Sequence, residues 1–318
     1  MSLEAEHAFK LTEVASFPPG SFLENIAVRR DGSILVTILF ARELWCIPPF
    51  REGGAQKAAR VHTFDLGAMS IVETEPDIFH VTTTSIGRGK LHRLDMRGWS
   101  PGQLLDAQLV VDYPGSGFLN GSCLLAPKVL LIADSFTGSI WRVDLAEDGK
   151  TGKARRWLRH ESMAHEPKGP MPDQPGVNGV QFASKTGYLY YTSTAKQLFM
   201  RVAVDSRTHD PAGEPEFVTG GMMWDDFCID EAGGFAYATT HRQNTLERIA
   251  LRPGENFGKA QSVVGRPFTE MLLGPTSAAW ARGPGEYGRV AYVASDGGIK
   301  APMPDGVVRP AKVLRVEF

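Results

Sequence analysis

Short apolar runs separated by polar turns recur along most of this chain. In Phe22–Thr37, "FLENIAVRRDGSILVT", two such runs flank an Arg-Arg-Asp-Gly turn. Runs this short, closed by turn residues, predict a β-hairpin rather than a helix. The same pattern returns in "MSIVETEPDIFHVTTTS" from Met69, "NGSCLLAPKVLLIADS" from Asn120 and "NGVQFASKTGYLYYTST" from Asn178. It returns again in "DDFCIDEAGGFAYATTH" from Asp225 and "PTSAAWARGPGEYGRVAYVASD" from Pro275. Each unit has a small or polar start, an apolar strand, a turn, a second apolar strand and a closing Thr, Ser or Asp. The units begin about 45 to 58 residues apart. Third strands follow at "ELWCIPP", "GKLHRLD", "GSIWRVD", "KQLFMRVAV" and "NTLERIAL", where apolar and polar residues alternate. Fourth strands fit "QLVVDYP" and "KARRWLR".

Six repeats of about four strands predict an all-β fold, a six-bladed β-propeller forming a single domain over residues 1–318. The segment "AFKLTEVASF" is left over and is expected to pair beside "AKVLRVEF", fastening the first blade to the last. Residues 161–175, "ESMAHEPKGPMPDQP", are too rich in Pro for a strand and are expected to loop over one face, either as a lid or as passive surface.

Composition fits many short strands, with 34 Gly and 21 Pro among 318 residues. A net charge of −2 with no basic block argues against nucleic acid as a partner. Cys46, Cys123 and Cys228 are widely spaced and read as buried, reduced thiols of a cytoplasmic protein. The amino-terminal "MSLEAEHAFK" has no signal-peptide pattern, and no apolar run is long enough to span a membrane. Gly283–Gly288 matches G-x-G-x-x-G by letters but precedes a strand, so it reads as a hairpin loop. No two histidines have zinc spacing on a helix, and His160 and His165 are expected in solvent.

A propeller turns the start of each innermost strand toward its axis. Glu24, Asn120, Asn178 and Asp225 share that place in four repeats, so they are expected to converge. Four oxygen-bearing side chains suit a hard cation, Ca²⁺ best and Mg²⁺ or Mn²⁺ next. Equally, the two acids and two amides can satisfy one another and water in a closed channel. Phe40, Phe118, Phe136, Met222, Met223, Trp224, Met271 and Leu272 fall near the same mouth. They predict a pocket for small apolar substrates, and in particular Phe40, Phe118, Phe136, Met223, Trp224 and Met271 as its walls.

At these residues the chain resembles the regucalcin/gluconolactonase family of six-bladed propellers, most closely in "NGVQFASKTGYLYYTST" and "DDFCIDEAGGFAYATT", more loosely in "LENIAV" and "FLNGS". The resemblance implies that Glu24, Asn120, Asn178 and Asp225 surround a divalent cation and that Asp225 is the base in lactone hydrolysis. It also implies an Arg two residues before the first Asn, and here that residue is Phe118. A narrower resemblance lies in "FPPGSFLENIAVRRDGSILVT", which is similar to fungal propellers that act as hetero-Diels–Alderases in tropolone–sesquiterpenoid biosynthesis.

The narrower likeness implies a pericyclase joining a tropolone o-quinone methide to a humulene-type terpene, with no cofactor required for the cycloaddition. Orientation of two apolar partners and a hydrogen bond to the carbonyl would carry that reaction. Thr37, Thr84, Ser193, Thr240, His241 and Arg242, at the ends of second strands, are the donor candidates; Thr240, His241 and Arg242 stand beside Asp225 as the expected catalytic set. The alternatives are a metal-dependent lactonase or esterase and a non-enzymatic binding propeller.

Overall fold

The computed structural model describes residues 9–318. The repeats fold as six four-stranded antiparallel sheets, and among the described residues helix is confined to two short 3₁₀ turns. Blade 1 is built from Leu23–Val28, Ile34–Ile38, Glu43–Ile47 and Ala59–Thr63, in that order from axis to rim. The innermost strands of blades 2 to 6 are Gly67–Glu75, Leu119–Ala126, Val177–Ala183, Trp224–Asp230 and Pro275–Trp280. The two fourth strands expected from sequence are present as Gln108–Pro114 and Gly152–Arg159.

Second strands are buried almost throughout because both of their faces are covered, and they are mostly apolar until the polar Thr, Ser or Asp at their ends. In Val129–Asp134 every residue is buried. Leu130 and Ile132 pack toward blade 2, while Leu131 and Ala133 pack toward blade 4. Side chains alternate between faces with a period of two, so one strand feeds two inter-blade cores. Each of the six blade interfaces holds one such apolar cluster. The core is therefore a ring of wedges around a polar axis.

Lys10–Pro19 closes the ring as the outer strand of blade 6. It runs antiparallel to Pro310–Glu317, with Lys10 opposite Glu317 and Pro19 opposite Pro310. Val14 and Phe17 are buried by this pairing. Pro18 and Pro19 lie at its end on an outer strand, where a missing N–H costs no ladder bond. Ala8 and the segment before it lie outside the described residues.

Gly283–Gly288 is the turn between Pro275–Trp280 and Val290–Ser295, a hairpin loop as read. Gly285 and Gly288 have φ of +74° each, which only glycine adopts freely. The three cysteines are buried and unpaired. Among the described residues no helix is long and apolar enough to cross a membrane.

Candidate active site at the mouth of the axial channel

Glu24, Asn120, Asn178 and Asp225 are each the second residue of an innermost strand. At that point the pairing between first and second strands slips, between Leu23 and Ile26, Leu119 and Ser122, Val177 and Val180, and Trp224 and Phe227. Such a bulge re-aims the side chains it carries. All four are buried, between 3% and 6% exposed.

In blades 3 and 4 the residue just after the second strand fixes the axial side chain of its own blade. Asn120 Nδ2 donates to Ser135 Oγ at 3.1 Å, and Ser135 Oγ donates to the Val177 carbonyl at 2.6 Å. Asn178 Nδ2 donates to Thr194 Oγ1 at 3.0 Å, and Thr194 Oγ1 donates to the Trp224 carbonyl at 2.7 Å. In blade 5 the same place holds His241, whose Nδ1 faces Asp225 Oδ2 at 3.6 Å. Its Nε2 lies 3.0 Å from Asp296 Oδ2 on blade 6.

Below the mouth a second polar layer crosses the axis. Asn25 donates to the Asp226 carboxylate and accepts from the Ile71 N–H at 3.2 Å. Gly121 and Gly179 give Asp226 its room: a Cβ on Gly179 would lie 2.3 Å from Asp226 Oδ1, and one on Gly121 would lie 3.1 Å from it. Asn25 of this layer also lines a cavity of about 240 Å³, together with Ser122, Gln181, Cys228 and Ser277 among others.

Burial dominates the electrostatics. It pushes the Glu24 carboxyl up to about 8, helped by the charges of Asp226 and Asp296. It lifts Asp225 well above the carboxylate range, with Glu24 adding to the rise and His241 opposing it. Asp226 rises to about 7 through burial, partly offset by its bond from Asn25. For His241, burial disfavours the charged ring, but the Asp296 hydrogen bond and the charges of Asp296 and Asp225 raise its affinity for a proton overall.

The donor set fits a hard divalent cation. Asn178 Oδ1 is a buried acceptor with no hydrogen-bond partner, and it sits beside carboxyls that burial leaves short of counter-charge. Among the described residues no three His, Cys, Asp or Glu side chains form a metal cluster, so a cation at the mouth would need the amide oxygens as well.

Apolar groups roof this polar ring. Phe22, Leu39 and Met69 cluster there with the half-buried Phe118 and Ile299. Phe118 stacks on Phe136 at 5.2 Å, and Phe136 stacks on His165 at 4.5 Å. His165 is thus half-buried against an aromatic ring rather than in solvent, and His160 caps the 3₁₀ turn Glu161–Met163 through Nδ1. The segment 161–175 is tied down at several points: Glu166 to Lys196 at 2.9 Å, Asp173 to Arg242 at 3.0 Å, and Ser162 Oγ to Tyr191 Oη at 2.7 Å.

Other expected wall and donor residues are placed differently. Trp224 is fully buried between blades 4 and 5, against Phe199, because it alternates with the axis-facing Asp225. It is a core residue, not a pocket wall. Thr240 is also sealed, sharing a 2.7 Å hydrogen bond with Thr245, so its hydroxyl offers nothing to a substrate. Thr37 likewise spends its hydroxyl on the Met69 carbonyl at 2.6 Å. Phe40 is 59% exposed, beside Phe22, and Met271 is 46% exposed. Met223 is buried, two residues before Asp225. Sequence reasoning missed Phe22, Asn25, Asp226 and Asp296.

No protein-family model matches the chain, and no curated protein matches it significantly by sequence. Solved structures do match along nearly the whole length. A luciferin-regenerating enzyme superimposes with a TM-score of 0.69 at 14% identity, over 98% of this chain and 96% of that one. A calcium-binding regucalcin from Agrobacterium tumefaciens gives 0.63 at 15% identity, over 96% and 95%. A gluconolactonase from Xanthomonas campestris gives 0.66 at 12% identity, over 98% and 90%. The six-bladed propeller fold is shared with these structures. At these identities the likeness establishes architecture, and the chemistry has to come from the mouth itself.

Proposed function

We propose that this protein is a hydrolase of lactones or related esters with an apolar body, using a divalent cation held by Glu24, Asn120, Asn178 and Asp225. The observation that carries this reading is the orphaned Asn178 carbonyl oxygen among buried carboxyls, beneath an apolar roof. Bound there, a cation would polarise the substrate carbonyl and favour the negative charge that develops on its oxygen. Asp225 would take the proton of the attacking water, and His241 Nδ1 3.6 Å away supports that reading. Ser135 and Thr194 keep the two amides from rotating. Phe118 and Phe22 exclude water and accept an alkyl or aryl group where a cationic side chain would grip a sugar.

The test is a panel of alkyl lactones and aryl esters, with added Ca²⁺ or Mg²⁺ or with chelator. Turnover that follows the metal and is lost in Asp225→Asn supports the reading. Full activity in metal-free protein, or none on any member of the panel, removes it.

A second reading is favoured by one feature, the flat stack of Phe118, Phe136 and His165. Such a wall suits a planar quinone methide, and the roof residues suit a terpene, so the site would serve as a hetero-Diels–Alderase of the tropolone–sesquiterpenoid type in fungal secondary metabolism. Its chemistry would be orientation of the two partners, with a hydrogen bond to the carbonyl. Generating an o-quinone methide with humulene, with and without protein, decides it: unchanged rate and stereochemistry exclude this reading.

A further inference from the structure

Among the described residues, one of the six outer strands differs from the rest in how its charges are matched. Lys10 and Glu13 in blade 6, Arg60 in blade 1, Asp112 in blade 2 and Glu216 in blade 4 each meet an opposite charge on the strand beside them, at 2.6–3.7 Å. The outer strand of blade 5, Ala260–Gly265, carries no charge. In blade 3 the outer strand, Gly152–Arg159, exposes Lys153, Arg155, Arg156 and Arg159 and holds no acid. Arg155 is paired with Asp210 on blade 4. Among the described residues Lys153, Arg156 and Arg159 form no ion pair.

This row is costly to the blade. Arg155 stands directly opposite Arg142, and like charges across a strand pair destabilise it. Asp210 binds both guanidinium groups and offsets that one clash. Arg156 stands opposite Trp141 and over its ring at 5.8 Å, a contact that leaves its charge in place. An edge strand needs a guard against pairing with other chains. The other five edges do without a row of cations, so protection alone does not account for this one.

Its dimensions indicate what it fits. Lys153 and Arg155 stand opposite Asp144 and Arg142, whereas Arg156 and Arg159 stand opposite Trp141 and Ser139. Side chains alternate along each strand, so two cations lie on each side of the edge. From Lys153 to Arg159 the row spans about 20 Å, the length of about six or seven residues of extended chain. The blades on either side limit its width. Their outer strands, Gln108–Pro114 and Glu216–Gly220, carry the acids Asp112 and Glu216 and expose Leu109 and Phe217. A duplex or a bilayer is broad and would press its phosphates against those acids and apolar groups. A single extended polypeptide meets the row alone.

We propose that the outer edge of blade 3 is a docking surface for a Glu- or Asp-rich extended segment of a partner protein, held by Lys153, Arg155, Arg156 and Arg159. Carboxylates at alternate positions of such a segment face the cations, and each guanidinium can take both oxygens of one carboxylate. The edge lies at the rim of the ring, and the proposal stands apart from the hydrolase reading.

The probe is a fluorescein-labelled peptide of about eight glutamates, long enough to cover the row. It is titrated with the full chain and read by anisotropy. Native protein should bind it, more weakly at physiological than at low salt. Lys153→Glu, Arg156→Glu and Arg159→Glu together should weaken binding at least about tenfold. Arg51, Arg266 and Lys300 are exposed cations elsewhere on the surface. Their combined reversal to Glu makes the same change in net charge and should weaken binding less than about twofold, since distant charges are screened.

No binding by native protein overturns the proposal, and so does an equal loss in the two triple variants. Tighter binding of an eight-nucleotide oligothymidylate, or of vesicles containing phosphatidylserine, than of the peptide also overturns it. Should the first triple variant not fold, Lys153→Gln, Arg156→Gln and Arg159→Gln together remove the charges without reversing them. Undiminished affinity for the peptide in that variant would overturn the proposal as well.

Discussion

Thr194 Oγ1 receives a hydrogen bond from Asn178 Nδ2 at 3.0 Å and donates its own proton to the Trp224 carbonyl at 2.7 Å. One hydroxyl thereby sets an axial amide in blade 4 and ties it to the first residue of the blade 5 strand. Thr194→Val keeps the shape and removes both bonds. We expect it to cost about 1–3 kcal/mol of stability, the usual penalty for stranding buried partners. Calcium affinity, read by calorimetry, should fall about tenfold as the amide gains freedom, and Thr194→Ser should restore most of both. An unaltered calcium affinity in Thr194→Val would remove the orienting role.

Stability of the metal-free protein should fall as pH rises. Glu24 titrates near 8 in the folded chain against 4.5 ordinarily, and Asp226 near 7 against 3.8. Both folded values are raised, so their contribution is complete below the ordinary pKa and is lost progressively up to the folded one. The window runs from about pH 4 to about pH 8, the share of Asp226 being lost by about pH 7 and that of Glu24 by about pH 8. Denaturant melts across this range should show the decline, and Glu24→Gln should flatten its upper part. A flat native profile contradicts the burial argument.

The Asp173–Arg242 bridge is half-exposed, with side chains 62% and 29% accessible. Such pairs contribute little to global stability, about 0–1 kcal/mol. Asp173→Asn should therefore leave the melting temperature nearly unchanged. It should still loosen residues 161–175, seen as faster proteolysis there and faster amide exchange. High salt should mimic the variant. Equal cleavage rates in native and variant protein would show that the remaining ties hold the segment alone.

Gly179→Ala is expected to be costly despite its modest size. Its Cβ would meet Asp226 Oδ1 at 2.3 Å and the Asp225 carbonyl at 3.0 Å, and the carboxylate is held by Asn25. Overpacking of this kind typically costs about 1–3 kcal/mol. Gly187→Ala, which meets nothing within 4 Å but has a φ of +72°, separates steric crowding from backbone strain. Thermal melts of the two variants should differ, with Gly179→Ala the less stable.

Phe118→Arg tests the apolar substrate class. It should raise kcat/KM for hydroxylated lactones relative to alkyl lactones by about tenfold or more, through charge-assisted hydrogen bonds to polar oxygens. A preference that does not move would place the substrate away from Phe118.

The blades were legible because strand patterning is local: "VLLIAD" is buried on both faces and reads as an apolar run closed by one acid. Glu24 was legible because four repeats place it in register with Asn120, Asn178 and Asp225. Trp224 misled because adjacency in sequence to Asp225 puts it on the opposite side of the strand. The Asp296–His241 contact was illegible, as it joins residues 55 apart on different blades. A signal for Asp226 did exist: Asn120 and Asn178 are each followed by Gly, Asp225 by a second acid, and the two glycines are the space that acid fills.

The pairing of Lys10–Pro19 with Pro310–Glu317 sets an order of events during synthesis. Lys10–Pro19 must wait for its partner until the last strand of the ring, about 300 residues later in the chain, has been translated. Until then Val14 and Phe17 have no neighbour on blade 6, and an incomplete ring offers a bare edge to other nascent chains. Slow elongation before Pro310–Glu317, or loss of that strand, should therefore be felt first as aggregation.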